Sequence, residues 1–240
     1  MQEVPDCLFQ SSNSEGISDL DLSKQGDMLD YPLAYGSVKR VGDYHGRTIH
    51  FYVDDKRFNS LGNAIEYGQA FWKLWERPER VWKSGAPSFC EVNFSTSNAQ
   101  PYYRALAQIG KKRHLSRYFQ EHGMRCWVDL NVAPKYQEMN MLGVPLGWRA
   151  YSTRIHKNDT LDTIIGQAEL AESQAGTDNI LFAVYGNRKE IEALCQRRGW
   201  FYISDEQIWS KRKSNKNRSL QVDNTIKPKQ SLEMNLEMFC

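Results

Sequence analysis

Ile180-Leu181-Phe182-Ala183-Val184-Tyr185 is an unbroken apolar run. Such a run is the mark of a strand buried on both faces of a parallel sheet. Downstream, Asn187 with Glu190 has the spacing of a capping box and opens a helix from Lys189 to Arg198. Gly199 ends that helix, and Trp200 to Ile203 is the last strand. Upstream, Asp159 caps a helix from Thr160 to about Ser173, preceded by a strand from Trp148 to Arg154. Ala133 to Gly147, with Pro134, Gly143, Pro145 and Gly147, has no helical period and reads as an irregular crossover.

The same alternation continues towards the N-terminus. Arg125 to Asn131 reads as a strand, and Tyr102 to His122 as a helix closed by Gly123. Ser88 to Ser95 is an alternating strand, and Leu61 to Trp75 is a helix stopped by Pro78. Ile49 to Val53 is a strand that runs into Asp54-Asp55-Lys56-Arg57, with a short edge strand before it over Val38 to Asp43. Strands that alternate with helical segments in this way form βαβ units with right-handed crossovers. The fold class is therefore α/β, with a mostly parallel sheet that is either open or an incomplete TIM-like barrel. A single domain is expected over residues 37–208. An acidic, mostly disordered tail is expected over 1–36, and a basic, disordered tail over 209–240 that ends in an apolar peptide.

With 240 residues, 40% of them hydrophobic, the chain can bury a real core. A net charge of +2 gives no global pull towards nucleic acid or membrane. Charge is nonetheless uneven, with Lys211, Arg212 and Lys213 opening a cationic C-terminal stretch. The five cysteines are widely spaced and include no C-x-x-C, which argues against a disulfide framework and a structural zinc site. No apolar run reaches membrane-spanning length and no secretory signal precedes the domain, so a cytoplasmic protein without a membrane partner is expected.

In a parallel sheet every strand ends on one edge, and that edge is where α/β proteins bind ligands. Asp54, Asp55, Arg57, Asn93, Ser95, Asp129 and Arg154 fall on or near it. Two chemistries suit these residues. Convergence of Asp54, Asp55 and Asp129 would suit metal-assisted phosphodiester hydrolysis, with Mg2+ as the implied cofactor, although neighbouring strand residues point to opposite sides. Alternatively, the helix from Tyr102 carries Lys111, Lys112, Arg113 and Arg117 beside tyrosines at 102, 103 and 118. Cations neutralise phosphates and aromatic rings stack on bases, so this helix and the 211–213 cluster are candidates for nucleic-acid binding. A third expectation concerns the end of the chain. Leu236, Met238 and Phe239 lie in Asn235-Leu236-Glu237-Met238-Phe239, which resembles the short peptide that bacterial replication proteins insert into the sliding clamp.

The order of several short motifs also resembles one family. They are Phe51-Tyr52-Val53-Asp54-Asp55-Lys56-Arg57-Phe58, the Trp75 to Pro78 segment, the strand ending Phe94-Ser95, Gly143 to Pro145, Ser152-Thr153 and Val184 to Gly186. Together they resemble an uncharacterised phage and plasmid family, the domain-of-unknown-function family 4417. Asn93 stands where that family tends to carry an acid. The resemblance implies a role in replication or maintenance of a mobile element, without an assigned reaction.

Overall fold

A computed structural model describes residues 9–27, 33–34, 45–52, 74–94, 96–156 and 159–204. Among the described residues seven strands follow in chain order: β1 (Leu33–Ala34), β2 (Thr48–His50), β3 (Ser88–Cys90), β4 (Arg125–Asp129), β5 (Ala150–Arg154), β6 (Leu181–Gly186) and β7 (Phe201–Ser204). Among the described residues, four α-helices separate them: α1 (Glu79–Trp82), α2 (Tyr102–Glu121), α3 (Leu161–Ala175) and α4 (Lys189–Arg198). The link from β4 to β5 is irregular, as expected, with 3-10 turns at Pro134–Tyr136 and Met139–Met141.

The strands lie in sequential order and every pairing is parallel. A sequential parallel order with right-handed crossovers puts all helices on one face. The two sides of the core show this division. Val81 of α1, Leu115 and Phe119 of α2, Ile164 of α3 and Ile191 of α4 pack with Ile49, Phe89, Val128 and Val184 on the outer face. The inner face gathers Tyr52, Cys90, Trp127, Ala150, Ala183, Tyr185 and Ile203, without a helical residue among them.

How far the sheet curls is fixed by the inner face. The β2 and β6 strands stand four places apart, which in a flat sheet is roughly 19 Å. Yet the rings of His50 and Tyr185 have centroids 4.8 Å apart, and so do those of Tyr52 and Tyr185. The Trp127 ring similarly meets Phe201, three strands away, at 6.1 Å. The architecture is thus a curled open sheet whose concave side closes on its own side chains.

Local chemistry explains most of the boundaries. Pro101 precedes α2, and Gly123 follows it with φ 84°. In α3 the cap is Thr160 rather than Asp159: the Thr160 hydroxyl and Thr163 exchange hydrogen bonds in a capping box. The expected box at Asn187 does not form either. Arg188 is the N-cap of α4, and Glu190 turns to pair with it. Gly199 closes that helix with φ 71°, a left-handed conformation that glycine adopts without steric cost.

The N-terminal segment departs from expectation. Residues 9–27 are packed, not a free tail. Ile17, Ser18 and Leu20 are buried, and Leu20 N–H donates to Gly143 O at 2.8 Å. Gln120 of α2 accepts from Asp21 N–H and donates to the carbonyls of Asp21 and Lys24. Gln25 bridges Cys126 in parallel, and its side chain accepts from Arg149 N–H at 2.7 Å. The segment therefore wedges between the beginnings of β4 and β5. Polar composition misled here because side-chain amides do most of the holding.

Candidate functional site at the strand ends

The β4 strand ends in a buried charged network. Asp129 is fully buried. Its Oδ1 accepts from the Tyr52 hydroxyl at 2.7 Å and from Asn131 N–H at 3.0 Å. Its Oδ2 lies 3.4 Å from Lys112 Nζ, and the same ammonium donates to the Asp129 carbonyl at 3.0 Å. The Tyr52 oxygen also lies 3.0 Å from Ser152 Oγ. Register explains the meeting, because Asp129 and Ser152 are partners across β4 and β5.

A second ion pair sits behind the first. Arg113 Nη1 donates to Glu91 Oε1 at 2.5 Å, with both side chains fully buried. Its other donors reach Asn140 O at 2.6 Å and Leu142 O at 3.1 Å, fastening the irregular crossover to α2. Glu91 Oε2 accepts from Asp129 N–H at 3.1 Å, and Asn140 Nδ2 donates to Asp129 O at 2.8 Å. The two pairs thus share the backbone of one residue.

Burial pushes the Asp129 carboxyl up, while the Lys112 ammonium and the Tyr52 hydroxyl pull it back. Burial holds the Tyr52 hydroxyl well above its usual range, so it keeps its proton and donates. Burial pushes the Cys90 thiol up to about 12, which removes it as a thiolate nucleophile at neutral pH. His50 faces the concave interior with neither ring nitrogen hydrogen-bonded. Burial, with the Arg154 cation, lowers it to about 3 and keeps it neutral.

This geometry revises two expectations. Lys112 and Arg113 do not face solvent; they are buried ion-pair partners and out of reach of a phosphate backbone. Asp129 has both carboxylate oxygens taken by donors, one of them an ammonium, which is unsuitable for a cation ligand. Among the described residues no cluster of three or more His, Cys, Asp or Glu could hold a metal ion. Asp54, Asp55, Arg57, Ser95, Lys211, Arg212, Lys213, Leu236, Met238 and Phe239 lie outside the described residues.

Other expected residues do reach this edge. Arg154 ends β5 two residues beyond Ser152, hence on the same face, and is half-buried. Asn93 is half-buried, its Oδ1 without a partner. Arg117 instead pairs with Glu121 on α2. Sequence reading passed over His156, whose Nε2 lies 2.9 Å from Asn131 Oδ1 just past β5.

One exposed part of the edge lies where α2 begins. Tyr102 is 55% and Tyr103 74% exposed, next to exposed Arg104. The loop before α2 is tied to the end of β4. Thr96 Oγ1 accepts from Ala133 N–H at 2.6 Å, and the Tyr136 hydroxyl donates to Gln100 O. Lys135, beside Tyr136 in sequence, is exposed and holds its Nζ over the Tyr136 ring at 5.3 Å. Lys111 lies two turns along α2, half-buried.

No family model, curated protein or solved structure matches the chain. Among the described residues no helix is long and apolar enough to cross a membrane.

Proposed function

We propose that the protein associates with nucleic acid through the strand-end edge, at the beginning of α2. The observation that carries this reading is the pair of adjacent exposed tyrosines, Tyr102 and Tyr103, beside exposed Arg104. Large aromatic side chains left in water at a helix start cost free energy unless a partner covers them. Aromatic rings stack on any unpaired base, and neighbouring cations neutralise the strand's phosphates. Arg104, Lys111 and Lys135 supply that charge, in place of the buried Lys112 and Arg113. The buried network keeps this surface in place, because it fixes the end of β4 against α2. Unpaired strands suit the geometry, since a duplex hides its base faces.

The test is anisotropy of a labelled single-stranded oligonucleotide titrated with the full chain over a range of salt. Affinity should fall linearly with log salt. The double variant Arg104→Gln, Lys135→Gln should flatten the slope by about 1.4, at ~0.7 per single-strand phosphate. Tyr102→Ala with Tyr103→Ala should weaken binding roughly tenfold or more, at about 1–3 kcal/mol per stacked base. A chain that binds no DNA or RNA at low salt would refute the proposal.

A further inference from the structure

From the surface of α2 we infer a base-binding groove, which rests on the nucleic-acid reading above and adds where an unstacked base goes. A groove of about 390 Å3 runs along the helix and contains Tyr103. Tyr103, Ala107, Gly110, Lys111 and His114 lie on one stripe of α2, and residues 15–18 form the opposite wall. The stripe is roughly 16 Å long at 1.5 Å per residue. Ala107 and Gly110 line it with almost no side chain.

Its chemistry fits a base better than a peptide. Tyr103 stands exposed at one end, and Trp75 forms part of the lining. The Trp75 ring is held nearly parallel to His114, with centroids 5.3 Å apart and planes at 18°. His114 is itself fixed, with Nδ1 3.1 Å from Ser18 Oγ. The wall aromatic is thus ordered before any ligand arrives. Lys111 brings a cation for a phosphate, and the Glu15 carboxylate is an acceptor for an exocyclic base amine. An extended peptide would instead need a free backbone edge. The segment at 15–18 does not offer one at Ile17, where N–H donates to Asn13 Oδ1 at 3.0 Å and the carbonyl accepts from Asn13 Nδ2 at 2.7 Å.

The experiment fills the groove without touching its walls. Ala107 is exposed and helical, so Ala107→Leu adds volume to the lining and leaves the core alone. Ala107→Ser serves as the control of near-native size, and thermal melting confirms that both variants fold. Each full-length chain is titrated by anisotropy against a labelled ten-nucleotide single strand and against the same strand made of abasic residues. Ala107→Leu should weaken the base-bearing strand roughly tenfold. It should leave the abasic strand unchanged, and Ala107→Ser should bind both as the native chain does. Unchanged affinity of Ala107→Leu for the base-bearing strand, or an equal loss on both strands, overturns the groove while the edge reading stands. If the native chain binds neither strand, both readings fall.

Discussion

Lys112 and Asp129 meet twice: the ammonium donates to the Asp129 carbonyl at 3.0 Å and lies 3.4 Å from its carboxylate, with both side chains buried. One lysine therefore satisfies a strand-end carbonyl and neutralises a buried acid at once. This relationship ties α2, which begins at the exposed tyrosines, to the polar end of β4.

Removing the cation alone should be severe. Lys112→Met leaves the Asp129 carboxylate buried with only Tyr52 and Asn131 as donors. The expected loss in urea unfolding is about 3–5 kcal/mol, the usual cost of stranding a buried charge. Without Lys112 the Asp129 carboxyl rises further, so the folded state takes up its proton before the unfolded state does. The deficit of the variant should then narrow as pH falls through that raised pKa. Adding Asp129→Asn should recover part of the loss at neutral pH. A deficit that does not change with pH would show that Asp129 is not the stranded group.

A different pH dependence belongs to His50. Its ring is neutral in the fold, lowered to about 3 from 6.5, and neither nitrogen is hydrogen-bonded. The unfolded state binds a proton below pH 6.5 that the folded state refuses. Stability contributed by the neutral ring is therefore fully present above pH 6.5 and is lost as pH falls towards 3, at up to about 1.4 kcal/mol per pH unit. His50→Phe should remove that part of the acid sensitivity. The variant should be no less stable at pH 7, because it deletes two unpaired buried polar atoms. A marked loss at neutral pH would mean that the imidazole has a partner that only a polar ring can serve.

The fold was legible because its signals are periodic. The run at 180–185 became β6, and helix 189–198 became α4, with boundaries within one residue. Which face of α2 is buried was also present in the sequence but misread. Ala105, Ile109, Ser116 and Phe119 share the buried stripe, and that spacing places Lys112 and Arg113 among them. Charge alone suggests exposure, whereas the acids that neutralise it, Glu91 and Asp129, lie far away in sequence. Pairing of that kind has no local signature. Nor does the curl of the sheet, which depends on Tyr52 and Tyr185 meeting across four strands.

The N-terminal segment supplies the last prediction, through two glycines with similar backbones and different surroundings. Gly147 has φ 85°, and a Cβ there would meet only Leu22 Cδ2, at 3.9 Å. Gly147→Ala should cost about 1 kcal/mol, the left-handed penalty alone. Gly143 has φ 73°, but a Cβ there would lie 2.2 Å from the Ser18 carbonyl oxygen and 3.0 Å from Arg113 Cγ. Neither backbone nor buried guanidinium can give way cheaply, and Gly143 O also accepts from Leu20 N–H. Gly143→Ala should therefore cost clearly more than Gly147→Ala in urea unfolding. It should also push residues 17–20 off the domain, so that limited proteolysis cuts within 9–27 while the Gly147 variant stays intact. Equal losses and equal resistance in the two variants would mean that the segment is not clamped at Gly143.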